Sequence, residues 1–348
     1  MIYKGIIILG DYMEKENSTE VTQTDEETVK DTKREVSKKK YKVKKGILKL
    51  FIVLIILMLV VLAGYFYYKY INSDKYLLTK KGYSEDQVTT ILKDDKITDM
   101  LLERDYNEYI IDIMDSKYYL SKNLDAYLDY KADNNDKDID DVVAIINVGA
   151  DKDWYEDTKE TDTTKGVLML VNKFNYLTED YEIDDLVDMS IQYAFNGKQI
   201  KQEVYDAFKT MHIAAAKEGL NLVANSAYRT YAYQKSIYSS YKNSDGTEAA
   251  DSYAARAGHS EHQTGLSIDI STLNSTADNF AETKEFTWLI NNAYKYGFIL
   301  RYPEDKEYLT GYNYESWHYR YVGKEVAAQI HDEGITFDEY YAYYIDGE

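Results

Sequence analysis

The chain has 348 residues, a formal charge of −20, no cysteine and a single proline. Its length suggests about two domains with ample chain for a buried core. Absence of cysteine excludes disulfide frameworks, thiolate zinc sites and cysteine nucleophiles, and the acidic balance argues against a nucleic-acid partner, which calls for a basic patch. The 38 tyrosines against one proline read as compositional bias and carry no function.

Charge is unevenly placed along the chain. Residues 1–49 hold 12 Lys/Arg against 9 Asp/Glu, while the remainder holds 29 against 52. Residues 1–45, polar and repeat-free from 14 onward, read as a disordered cytoplasmic tail, with Met13 an alternative start to Met1. Residues 46–70 read as a transmembrane helix. The stretch Ile47 to Tyr70 spans about 36 Å as a helix, enough to cross a ~30 Å hydrocarbon core, and Phe51 to Leu62 contains only Phe, Ile, Val, Leu and Met. Insertion of that run is favourable by roughly 3–7 kcal/mol, and the aromatic cluster Tyr65 to Tyr68 suits an interfacial belt. Lys38, Lys39, Lys40, Lys42, Lys44 and Lys45 precede the run, so the positive-inside rule keeps the N-terminus cytoplasmic and residues after 70 outside a bacterial cell membrane. No A-x-A-like site follows, which favours an uncleaved anchor over a signal peptide.

Residues 71–143 read as a helical extracellular spacer. Ser84-Glu-Asp-Gln87 is a capping-box pattern ahead of Val88, Ile91 and Leu92, with further short helices expected near 97–104 and 106–114. From about 144 to 348 the texture is mixed. Gly166 to Val171 and Leu222 to Ala224 read as strands. A helix is expected over 200–218 with Val204, Phe208, Met211 and Ala215 on one face and Gly219 as its stop. Shorter helices follow near 231–241, 247–255 and 283–296. Phe298 to Tyr302 and Trp317 to Val322 are again strand-like. Strands from distant segments with helices between them make an α+β domain.

Two histidines sit in Gly-punctuated polar settings. In Ser260-Glu-His262-Gln-Thr-Gly265-Leu-Ser-Ile-Asp269, the alternation after Gly265 reads as a strand, and the glycine permits a turn that folds His262 back toward Asp269. In Glu315-Ser-Trp-His318, a following strand places His318 and Arg320 on one face, and Glu315 must then precede that strand in a bend. Two imidazoles and one carboxylate form a three-ligand zinc set that leaves a fourth position for water, the catalytic type of site. Such a metal lowers the pKa of its water toward ~7, and a nearby carboxylate, here Glu315, must take up the proton. Taken singly, each of these residues is equally at home as a surface, loop or cap residue. His259 reads as a solvent-facing loop residue. His212 and His331 receive no role.

The string Ser260 to Asp269 resembles the Ser-x-His-x-x-Gly-x-x-x-Asp signature of the LAS metallopeptidases (lysostaphin, D-Ala-D-Ala carboxypeptidases, hedgehog), and within them the VanY-type carboxypeptidases. The resemblance runs through Leu170 to Lys173, Ser226 to Tyr231, Gln234, Gly258 to Gly265, Gly297-Phe298, Arg301 to Pro303, Thr310 to Tyr312 and Trp317 to Gly323, in family order over about 144–331. Ala257, Ile183 and Ser316 stand where the family often has proline.

The resemblance implies a small antiparallel sheet flanked by helices over 144–348, with one Zn²⁺ per chain held by His262, Asp269 and His318. It makes Glu315 the catalytic base, gives Arg229 the substrate carboxylate or developing oxyanion, and lets Ser226 and Gln234 hydrogen-bond to the peptide. The implied activity is removal of terminal D-alanine from peptidoglycan stem peptides, outside the cell, with no protein partner. An LD-carboxypeptidase, an endopeptidase with the same metal site, and a non-catalytic wall-binding module are the alternatives.

Overall fold

The computed structural model describes residues 45–275 and 279–346. The tail expected over 1–45 lies, except for Lys45, outside them, as do Met1 and Met13. The chain divides into two compact units, residues 1–70 and 71–348. What is described of the first is a single helix, Lys45–Ile71, with no buried residue and a mean hydropathy of 3.1 over its most apolar stretch. Among the described residues it is the one helix long and apolar enough to cross a membrane.

The second unit begins with short helices closed by local signals. Ser84 and Gln87 form the expected capping box at the start of Glu85–Ile91, and Asp94 caps Asp95–Glu103. The next helix, Ile110–Asp115, follows. Two further helices, Leu124–Asp133 and Ile139–Val148, flank the polar break at 134–138. Leu78, Val88, Ile91, Leu101, Tyr127 and Val142 form one buried cluster among these helices. The helical region packs on the rest of the unit, with the Tyr118 ring stacked on Tyr343 at 4.0 Å and Lys117 and Tyr118 both donating to Glu333.

The main sheet is antiparallel, in the order Val223–Ser226, Ser267–Ser271, His318–Tyr321, Phe298–Leu300. The Gln202–Lys217 helix buries Val204, Phe208, Met211 and Ala215 in a core shared with Ile268, Ile270, Phe298 and Tyr319. Lys284–Asn292 ends in a 3-10 turn at Gly297, whose φ of 92° suits a residue without Cβ.

One expected strand is absent. Residues Thr163–Leu168 form 3-10 turns, broken at Gly166, where φ is 58° and ψ −123°. Asp162 caps the first turn. The Val167 and Met169 carbonyls beyond the break both accept from Arg320. The positive φ at Gly166 breaks the extended backbone a strand needs, so the run does not join the sheet; only its second half, Met169 to Val171, is buried.

Candidate metal and catalytic site

The site is built across three strands. Asp269 pairs with Ser226 on one side and with His318 on the other, so the three side chains share one face. His262 arrives from the 3-10 turn Glu261–Thr264, which ends at Gly265 with φ 67°. Any Cβ there would lie 3.0 Å from both Ile183 Cδ1 and Lys201 Cγ.

Among the described residues, His262, Asp269 and His318 are the one group able to hold a metal ion, with donor atoms within 4.8 Å of one another. Asp269 Oδ1 lies 3.3 Å from His262 Nε2 and 3.2 Å from His318 Nδ1. It is buried and has no hydrogen-bond partner. His262 Nδ1 meets the Ala227 carbonyl at 2.6 Å; a carbonyl only accepts, so Nδ1 carries the proton and Nε2 presents a lone pair. An orphaned carboxylate oxygen between two imidazole nitrogens is the donor set of a three-ligand zinc site. The two imidazoles are pulled in opposite directions. Burial works against a charged His318, yet the Asp269 and Glu261 carboxylates outweigh it and raise its pKa to about 9. Burial, with Arg229 nearby, lowers His262 to about 4.

Glu315 sits in a bend before the strand, its N–H donating to the Tyr302 carbonyl and its own carbonyl accepting from His318 N. This is the placement the three-residue spacing requires. Its Oε2 is 3.6 Å from His318 Nδ1, and burial pushes its pKa up to about 7, against the opposing pull of His318.

Arg229 donates from Nη2 to Asp269 Oδ2 at 2.8 Å, from Nε to Ser226 Oγ at 3.0 Å and from Nη1 to Gln234 Oε1 at 3.4 Å. Ser226 and Gln234 therefore grip the arginine here; Gln234 is buried, and its Nε2 donates to the Ala255 carbonyl. Of five guanidinium N–H groups, three are used and two stay available on a side chain that is 21% exposed.

Sequence reasoning missed the support beneath these residues. Glu261 is fully buried against Arg301, Arg320 and His318, and the Tyr302 ring lies 5.0 Å from the His318 ring. Glu261 directly precedes His262 and Arg320 alternates with His318, but no local pattern joins Glu261 to arginines so far along the chain. His259, expected to face solvent, is part-buried instead. Its Nδ1 meets the Asn172 carbonyl at 2.8 Å, and the Tyr155 and Tyr176 rings flank it.

The VanY family pattern, described as D-alanyl-D-alanine carboxypeptidase, matches residues 197–324. YodJ of Bacillus subtilis (strain 168) is 42% identical over 201 residues, covering 54% of this chain and 74% of its own. A D-alanyl-D-alanine carboxypeptidase of Enterococcus faecalis (strain ATCC 700802 / V583) is 33% identical over 191 residues, covering 52% and 68%. Among solved structures, the LdcB LD-carboxypeptidase superposes with a TM-score of 0.51 at 42% identity, covering 54% of this chain and 91% of that one. With relatives at 42% and 33% identity matched over more than two thirds of their length, the chain belongs to the VanY family of D-alanyl-D-alanine carboxypeptidases.

Proposed function

We propose that this chain is a membrane-anchored zinc carboxypeptidase that removes terminal D-alanine from peptidoglycan stem peptides outside the cell. The observation carrying this reading is the unpartnered Asp269 Oδ1 between His262 Nε2 and His318 Nδ1, with Glu315 beside the same imidazole. His262, Asp269 and His318 would hold the zinc, which when bound supplies Lewis-acid polarisation and a water acidic near neutral pH. Glu315, with its pKa raised to about 7, takes up a proton near neutrality and returns it to the departing D-alanine amine. The two free N–H groups of Arg229 fit a carboxylate fork, which orients a peptide by its free C-terminus. Ser226 and Gln234 keep that guanidinium aimed.

The Lys45–Ile71 helix supports anchoring, and the lysines before it support an outside location for the following residues. The likeness to LdcB supports a second reading on the same residues, LD-carboxypeptidase action on tetrapeptide stems. Incubating the full chain in detergent with pentapeptide and tetrapeptide stems, with and without chelator, tests both. Chelator-sensitive D-alanine release from the pentapeptide alone supports the first reading, and release from the tetrapeptide alone supports the second. Release from neither overturns both.

A further inference from the structure

Glu261 is a fully enclosed carboxylate whose two oxygens have different partners. Oε1 accepts from Arg301 Nε at 2.7 Å and from Arg320 Nη1 at 2.9 Å. Oε2 faces His318 Nε2 at 3.4 Å. Both arginines are anchored elsewhere. Arg301 donates to Asp338 Oδ2 at 2.6 Å, and Asp338 Oδ1 accepts from Asn172. Arg320 donates to the Val167 and Met169 carbonyls.

A buried charge cluster of this kind contributes little net stability, because desolvation offsets the attraction, and apolar replacements of similar volume are often neutral or stabilising. Its geometry points instead to what the cluster holds. A brace between two arginines is complete with Oε1 alone, which leaves Oε2 for the imidazole. We infer that Glu261 is a positioning residue for the metal ligand His318. The inference rests on the reading of His262, Asp269 and His318 as metal ligands.

A carboxylate flanked by two guanidiniums accepts only, so it selects the form of His318 with a proton on Nε2. Nδ1, across the ring, then presents its lone pair toward Asp269 Oδ1. Glu261 is also the residue before His262, so one 3-10 turn supplies a ligand and the brace of a second ligand.

Glu261→Gln tests this. The amide oxygen must face the arginines, which turns the NH₂ toward His318 Nε2 and reverses the preferred tautomer. For the full chain in detergent, competition with a chromophoric chelator should show zinc affinity weakened about 10–100-fold, with KM for the stem peptide little changed at saturating zinc. Arg301→Lys disturbs the same cluster from its far side and should lower the melting temperature while zinc affinity holds. If the Gln variant does not fold, Glu261→Asp, which keeps the charge and withdraws it from the ring, carries the same expectation. Wild-type zinc affinity in folded Glu261→Gln or Glu261→Asp overturns the inference, as does an equal loss in Arg301→Lys. A wild-type chain that binds no zinc overturns the metal reading itself.

Discussion

The Glu315 carboxylate stands 3.6 Å from His318 Nδ1, the nitrogen that also faces Asp269. The two residues lie three apart in the chain and share one bend, which the Glu315 N–H ties to the Tyr302 carbonyl. Glu315→Gln keeps the shape of that bend and removes the proton acceptor. D-alanine release should fall by about 10²–10⁴-fold with zinc content unchanged, measured by amino-acid release and metal analysis on one sample. Undiminished turnover would show that another group takes the proton.

Arg229 serves two tasks, holding Asp269 Oδ2 and offering two N–H groups outward. Losing charge-assisted hydrogen bonds of about 1.5–3 kcal/mol should lower kcat/KM of Arg229→Ala by about 10–100-fold on peptides with a free C-terminus. C-terminally amidated peptides should show a smaller loss, the part owed to Asp269 alone. Arg229→Lys should not rescue, because an ammonium cannot reach Ser226, Gln234 and Asp269 in one plane.

Chelation should abolish D-alanine release and lower the melting temperature, since a ligand bound only by the folded state adds stability, about 4 kcal/mol at a thousandfold excess over Kd. Zinc should restore both. Magnesium should not, because it prefers six oxygen ligands to imidazole nitrogen. Differential scanning calorimetry with and without each ion reads the outcome.

Acid stability should depend on Glu333. It accepts from Tyr118, Lys117, Gln329 and Tyr344. Burial opposes its ionisation, but these donors prevail and depress its pKa to about 2. A depressed carboxyl contributes stability that is complete above its ordinary range near 4.5 and fades as pH falls toward about 2. Glu333→Gln should therefore cost on the order of 1–3 kcal/mol at neutral pH and flatten the stability profile below about pH 4.5. Denaturant melts across that window decide it.

The three residues that converge, His262, Asp269 and His318, were legible in the sequence because each sits at a marked place. His262 lies before the turn glycine Gly265, Asp269 lies on an alternating strand, and His318 begins another. Glu315 was legible because its spacing forbids a straight strand. The capping box explains why the start of Glu85–Ile91 could be located, and the apolar face with the Gly219 stop explains Gln202–Lys217. The turns at Thr163–Leu168 were not legible, since an apolar run looks the same whether its carbonyls join a sheet or converge on Arg320. Glu261 was opaque for a related reason. Its partners, Arg301 and Arg320, lie about 40 and 59 residues downstream, and no local period encodes contacts at that range.

The Ile139–Val148 helix straddles the point where the change in sequence texture invites a cut. Its last turns carry Ala144 and Ile145, which cluster with Leu309 from the peptidase half, and Tyr308 donates to Asp141 in its first turn. A truncated enzyme beginning at Ala144 would start inside a helix and expose that apolar seam to solvent. Anyone preparing a soluble version for crystallisation or assay does better to begin near Ser73, the cap of the first helix in the second unit.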